Sequence, residues 1–277
     1  MRTQALLLGL SLSLCAWAQQ TYQGQPTDDV WVYDNAFNAG FTAILRAWGD
    51  GQNAVDPNNP AYPGSNFSYS LAKWSLQGIP AGRQYQVLQA QITVVHTQPP
   101  GYTRELGEQF PLEARDLSSA DFSEATWSYS APNNPYPGNT ILGESLMTNY
   151  RTDAPFAIPI PLEVESFEPY FNAAINQNGG ALGIAFVSRM NPANQAGQTF
   201  YRFYSRNDGG GRGPVLQVVY RVAGDVNGDG CADDADLLQT LFAFGQTGAN
   251  LPADLNGDGV VDDADLLEVL FNFGNGC

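Results

Sequence analysis

DVNGDGCADDADLLQTLFAFG, residues 225–245, and DLNGDGVVDDADLLEVLFNFG, residues 254–274, are two copies of one pattern that superpose without a gap at an offset of 29. Each begins D-x-N-x-D-G and carries further aspartates at its ninth and twelfth places. In a twelve-residue loop wrapped around one hard cation, positions 1, 3 and 5 give side-chain oxygens and position 7 a backbone carbonyl. Position 9 gives a ligand often through water, and position 12 a closing carboxylate. Those places fall on Asp225, Asn227, Asp229, Cys231, Asp233 and Asp236, and again on Asp254, Asn256, Asp258, Val260, Asp262 and Asp265. Gly230 and Gly259 stand sixth, where the chain must turn sharply. An all-oxygen donor set rich in carboxylate suits calcium, whereas a softer metal would want imidazole or thiolate. The expected complement is two Ca²⁺ ions.

No helix-forming run precedes either loop, and position 12 is Asp where the common EF-hand signature has Glu. After each loop the periodicity predicts a helix. Leu237, Leu238, Leu241 and Phe242 share one face, as do Leu266, Leu267, Leu270 and Phe271, and Gly245 and Gly274 act as stops. Two loop-then-helix units in tandem, each closed by Asp, resemble a type I dockerin over roughly residues 224–277. That resemblance implies a small calcium-folded module that docks a secreted protein onto a cohesin-like receptor. The tenth and eleventh loop places, often a Ser-Thr type pair in cellulosomal members, are Asp234-Ala235 and Asp263-Ala264.

At the other end, residues 1–18 combine a charge at Arg2, an apolar run and the small-residue site Ala16-Trp17-Ala18. This predicts a secretory signal peptide cut between Ala18 and Gln19, too short to span a membrane, and hence a secreted or surface-associated protein. Cleavage removes Cys15 and leaves Cys231 and Cys277. An even pair in an oxidising compartment predicts a disulfide, which would stabilise by about 4 kcal/mol through loop closure. A domain of this size leans on such staples and on metal. Loss of Arg2 with the leader takes the formal charge from −16 to −17. So acidic a surface argues against nucleic acid and anionic membranes as partners.

Residues 19–222 carry short alternating runs separated by Pro, Gly and Asn clusters. Strands are predicted at 30–33, 42–48, 67–76, 87–96, 109–115, 181–188, 200–205 and 215–222. One helix is predicted at 166–176, with Phe167, Phe171, Ala174 and Ile175 on one face. The expected fold is mainly β: an antiparallel, jelly-roll-like β-sandwich followed by a small helical domain over 223–277. Four segments carry a likeness across 28–220: DDVWVYDNAFNAGF (28–41), SLAKWSLQGIPAGRQYQVLQAQITV (70–94), FSEATWSYS (122–130) and FYSRNDGGGRGPVLQVVY (203–220). They are similar to the DNRLRE or disaggregatase-related secreted β-sandwiches. The resemblance implies a non-catalytic, carbohydrate-associated module of an extracellular bacterial protein.

No Ser or Cys nucleophile pairs by any motif with the single histidine, His96, which is read as structural. A glycosidase needs two carboxyl groups about 5–9.5 Å apart. Glu105, Glu108, Glu113, Asp116, Asp121, Glu124 and Asp153 are available, and Glu124 is the strongest candidate for a buried acid, read here as making a structural hydrogen bond or ion pair. Sugar rings stack on exposed aromatics, so Tyr62 and Tyr136, each in an N-N-P turn context, are the candidate glycan contacts. The sequence therefore predicts a non-catalytic protein that meets a polysaccharide or surface glycan through its sandwich and a cohesin-like partner through its tail. A tethered polysaccharide hydrolase or lyase, and a structural matrix protein, are the alternatives.

Overall fold

The computed structural model describes residues 19–33, 42–48, 68–97, 111–127, 135–145, 155–188 and 201–277. The expected signal peptide, its cleavage at Ala18, and Tyr62, Glu105, Glu108 and Asp153 lie outside the described residues. The chain divides into two compact units, Gln20–Tyr220 and Arg221–Cys277.

The first unit is mainly β, built of two antiparallel sheets in a sandwich-like arrangement. One sheet holds β1 (Gln20–Gly24), β11 (Val215–Val222), β5 (Tyr85–His96), β10 (Tyr201–Tyr204) and β3 (Ile44–Ala47) in that order, with β8 (Phe156–Pro161) also paired to β5. The other runs β2 (Asp28–Tyr33), β4 (Ser68–Ser75), β9 (Ala181–Val187), β6 (Leu112–Leu117) and β7 (Pro137–Ser145). Alternation fixes which side chains meet between the sheets. Phe186 of β9 packs edge-to-face on Phe203 of β10, ring centroids 5.1 Å apart. Ala185 and Val187 must then point the other way. They join Val30, Val32, Tyr69, Leu71 and Leu117 in a second apolar layer closed over by Phe122 and Trp127.

Helix α1 (Val164–Asn176) caps the unit by inserting Phe167 and Phe171, both fully buried, toward Tyr85 and Tyr220. Asn172 is the polar lock beside them. Its amide accepts from Tyr85 N–H and donates to Tyr85 C=O, both at 2.8 Å, so a buried strand end keeps its hydrogen bonds.

Three strands escape the sequence reading. β8 reads FAIPIP, and prolines normally break strands. Here Pro159 and Pro161 alternate with buried Ile158 and Ile160, so amides are lost from one edge only and the other edge still pairs with β5. β7 opens on Pro137-Gly138-Asn139, a turn-like composition, and β1 is a polar edge strand.

The second unit contains α2 (Asp234–Ala243) and α3 (Asp263–Phe271), each starting at the tenth place of a repeat with the ninth-place aspartate as its N-cap. Its core is small: Val226, Ala253, Leu255, Val261 and Val269, with Leu237, Ala243 and Leu251 packed against it. A disulfide joins Cys231 to Cys277, Cα atoms 4.7 Å apart.

Because Phe171 has no solvent exposure and holds two tyrosine rings, Phe171→Ala is expected to destabilise the first unit by about 3–5 kcal/mol. Denaturant unfolding followed by tryptophan fluorescence is the measurement. A loss below about 1 kcal/mol would mean the helix does not seal that end.

Candidate functional sites

The two repeats fold alike and share most of their hydrogen bonds. At the first place of each, Asp225 accepts from Gly228 and Gly230 N–H, and Asp254 from Gly257 and Gly259 N–H, at 2.7–2.9 Å. Gly230 and Gly259 sit at φ +93° and +89°, a region open at little cost only to glycine, which has no Cβ. The twelfth-place aspartates are fully buried. Asp236 accepts from Val226, Asn227 and Asp233 N–H, and Asp265 from Leu255, Asn256 and Asp262 N–H. With Asp233 and Asp262 as N-caps, these pairs form capping boxes that start α2 and α3.

Among the described residues no three His, Cys, Asp or Glu side chains converge on one point as a ready metal cage. The carboxylates instead face backbone amides. The donor set still fits a hard cation on chemical grounds. Each carboxylate oxygen that accepts one N–H keeps a second lone pair, and the Asn and backbone carbonyls add neutral oxygen. Burial pushes the Asp225 carboxyl above its ordinary range. The amides of Gly228 and Gly230 oppose that shift, and the charges of Asp236 and Asp229 reinforce it. The crowding of negative charge there is what a divalent cation would relieve. Arg221 is the only Arg or Lys from 221 onward and is buried, donating to Leu255 C=O.

The repeats clasp each other reciprocally. Ala232 exchanges hydrogen bonds with Gly274 and Asn275, and Val261, its counterpart 29 residues on, does the same with Gly245 and Gln246, all at 2.8–2.9 Å. Cys231 and Cys277 stand at the places that Val260 and Gly248 hold in the other clasp, where Val260 bridges Thr247 and Gly248 N–H donates to Gly259 C=O. Gly276 at φ +83° is required there, since a Cβ would lie 2.2 Å from Gly230 C=O.

The helical faces read from sequence as apolar stripes do not all turn inward. Leu237 packs on the core, but Leu238, Leu241, Phe242 and Phe244 are 51, 47, 83 and 50-odd per cent exposed, the last at 51%. Their counterparts Leu267, Leu270, Phe271 and Phe273 are 46, 46, 82 and 50% exposed. The reason is geometric: the inward face of each helix is taken by the capping aspartate and by Thr240 or Val269, leaving the i, i+3, i+4 stripe outside. Two like apolar patches result, each bordered by acidic residues.

In the sandwich, residues far apart in the sequence meet in a polar knot. Glu124 accepts from Asp29 N–H and Asn207 Nδ2 at 3.4 and 3.2 Å and pairs with the Arg206 guanidinium. Asp29, fully buried, accepts from Arg206 N–H at 2.7 Å. Burial drives its carboxyl up to about 7, with the Arg206 amide opposing and the Glu124 charge adding to the shift. Next to it Asp28 pairs with Lys73 at 3.1 Å. Burial would raise Asp28, yet the Lys73 hydrogen bond and the Glu124 N–H prevail and hold it below the ordinary carboxylate range.

Asp28 and Lys73 form part of the wall of a cleft of about 660 Å³, which also meets Thr27, Gln77, Tyr170 and Asn178. Nothing in local sequence marks these residues, because β2, β4, the turn after β6, α1 and the turn before β9 each supply one or a few. Tyr136, 43% exposed, lies beside the cleft: its N–H donates to Ser118 Oγ, and Ser118, a lining residue, donates its own N–H to Tyr136 C=O. Trp74 and Trp127 are buried, and the Trp31 ring is covered by Arg46 at 4.1 Å. Glu113 is buried in an ion pair with Arg115, and Asp116 accepts from Thr140 N–H.

His96 is fully buried and stacked on Phe156. Nδ1 donates to Thr97 C=O at 2.5 Å and Nε2 accepts from Arg202 N–H at 3.2 Å, which fixes a neutral imidazole. Burial drives its pKa down to about 4.

No family model matches the chain, and no curated protein does. Among solved structures one similar chain is the unassembled KI polyomavirus VP1 pentamer, at 11% identity and a TM-score of 0.26 over 75% of this chain and 97% of that one.

Asp29 and His96 set opposite pH slopes. Asp29, raised from 3.8 to about 7, holds its proton in the fold while the unfolded chain has lost it, so its contribution falls as pH rises through that window. His96, lowered from 6.5 to about 4, contributes stability that is present above the unfolded value and lost as pH falls toward 4. The two cancel to first order between about 4 and 6.5. Asp29→Asn removes one slope, so its unfolding free energy relative to wild type is expected to grow by about 1.4 kcal/mol per pH unit across that window. Urea unfolding at pH 4.5 and 6.5 measures the difference, and an equal offset at both pH values would refute the assignment.

Proposed function

We propose that this is a secreted, carbohydrate-associated protein of the DNRLRE-like kind whose C-terminal dockerin-like module binds two calcium ions and docks onto a cohesin-like receptor. The observation that carries this reading is the repeated outward apolar quartet. A unit of 57 residues with a core of eight side chains leaves both Phe242 and Phe271 more than four-fifths exposed, at the same register in each repeat. Exposed apolar patches of that kind mark interaction surfaces.

Asp225, Asn227, Asp229, Asp233 and Asp236 with the Cys231 carbonyl would hold one ion. Asp254, Asn256, Asp258, Asp262 and Asp265 with the Val260 carbonyl would hold the other. Calcium supplies charge neutralisation there, coupling ion uptake to the fold of the module. The protein's own part is to fix the loops: Asp236 and Asp265 tie each loop's start to its helix, and the reciprocal clasps and the disulfide hold the repeats together. The same disulfide agrees with an oxidising compartment. Among the described residues no helix is long and apolar enough to cross a membrane.

A binding role fits the sandwich better than a hydrolytic one. A general acid must be accessible and have a raised pKa. The carboxyl raised to about 7, Asp29, is fully buried, whereas Asp28 in the cleft is held low.

Isothermal titration of residues 19–277 is expected to register two calcium ions, and one in Asp236→Asn. Absence of uptake in the wild type would end the calcium reading. A cohesin-like receptor retained by the wild type in calcium is expected to be released by chelator and not retained by the Phe242→Ser/Phe271→Ser pair. Retention by that double variant at wild-type strength would mean docking uses another surface.

A further inference from the structure

The structure carries a cleft that no sequence motif announced, and its lining is unusual in charge. Lys73 is the only Lys or Arg among the lining residues, and it is already spent: its ammonium pairs with Asp28 at 3.1 Å and donates to Phe122 C=O. A phosphate, sulfate or uronate would need a cation that the cleft does not offer. The exposed Asp121 at the same cleft would repel such ligands further.

The remaining polar lining is uncharged hydroxyl and amide. Gln77 and Asn178, both exposed, direct no side-chain hydrogen bond to any described residue, and each offers donors and an acceptor together. That two-way capacity matches sugar hydroxyls, which also donate and accept. Tyr170 supplies a flat wall held in place at its far end. Its hydroxyl accepts from Leu117 N–H at 3.1 Å and donates to Gly183 C=O at 2.5 Å, and burial pushes its pKa up to about 12, so it stays protonated. The ring is therefore held in one orientation, and Tyr170 lines the cleft. Behind the wall, the Asp29–Glu124–Arg206 knot and the Asp28–Lys73 pair fix β2 to β4 and to the 122–127 turn. The cleft is thus preorganised, and at about 660 Å³ it falls within the roughly 300–1,000 Å³ range of small-molecule sites.

We propose that this cleft, walled by Thr27, Lys73, Gln77, Asp121, Tyr170 and Asn178, binds a short neutral oligosaccharide, with the hydroxyls held by Gln77, Asn178 and Asp121 and a ring face against Tyr170. The proposal deepens the carbohydrate reading above and rests on it. Tyr136 at the neighbouring surface extends the contact for a longer chain.

The test is titration of residues 19–277, with calcium present, against uncharged gluco-, galacto-, manno- and xylo-oligosaccharides and against uronate and sulfated oligosaccharides. The expected result is binding of at least one neutral series and none of the anionic ones. Gln77→Ala/Asn178→Ala is expected to weaken it by at least about tenfold, and Ser119→Trp, which fills the cleft from an exposed position, to abolish it. The thermal midpoint should be unchanged in both. Slowed amide exchange at 117–121 and 178–181 on adding the bound sugar locates the site in the wild type without any substitution. Neutral-sugar binding that is unaltered in both variants and leaves those amides unprotected would overturn the cleft assignment while leaving the carbohydrate reading standing. Binding confined to anionic chains would overturn the ligand class. Silence of the wild type toward every sugar would remove both readings.

Discussion

Buried carboxylates that accept backbone amides hold each unit together. Asp236 and Asp265, without solvent exposure, each gather three N–H donors from two ends of a loop. A carboxylate taken out of water is tolerated only when such donors replace its hydration. In the sandwich Glu124 gathers backbone and side-chain donors from β2 and from the 206–207 turn, while Asp29 accepts through Oδ2 and leaves Oδ1 buried without a partner among the described residues, in keeping with a carboxyl raised to about 7. In both units the fold around the site is set by where these acids are satisfied, and the apolar core fills in behind.

For the second unit this has a consequence for its surface. With acids occupying the inward turn of each short helix, only a few apolar side chains can face the core, and the remainder of the leucines and phenylalanines go outward. Exposure there follows from the loop chemistry. The reciprocal clasp through Ala232 and Val261 then gives both patches the same surroundings. The disulfide and the two exposed apolar patches share one small scaffold, since the segments that clasp are those that follow the exposed helices.

In the sandwich, charge pairing leaves a cleft that is polar and, apart from the exposed Asp121, without unpaired charge. Lys73 and Asp28 neutralise each other, Arg206 is committed to Glu124, and the hydroxyls and amides around them are what a ligand meets. His96, at the other chemical extreme, is neutral, stacked and fully bonded, which is how a lone histidine at a strand end contributes packing rather than reactivity.

Sequence by itself determined the repeat register, the glycines at the sixth places and most strands, because each depends on local spacing or on period-two alternation, and the Cys231–Cys277 pairing, because only two cysteines follow the leader. The α1 face of Phe167, Phe171, Ala174 and Ile175 was legible for the same reason. Tertiary structure alone decided the rest. That β8 is a strand despite its prolines depends on having β5 on one edge only. That Leu238, Leu241 and Phe242 face out depends on what fills the core. The cleft draws Thr27, Lys73, Gln77, Tyr170 and Asn178 from separate elements, and no pattern along the chain encodes a contact whose partners are set by how two sheets and a helix pack.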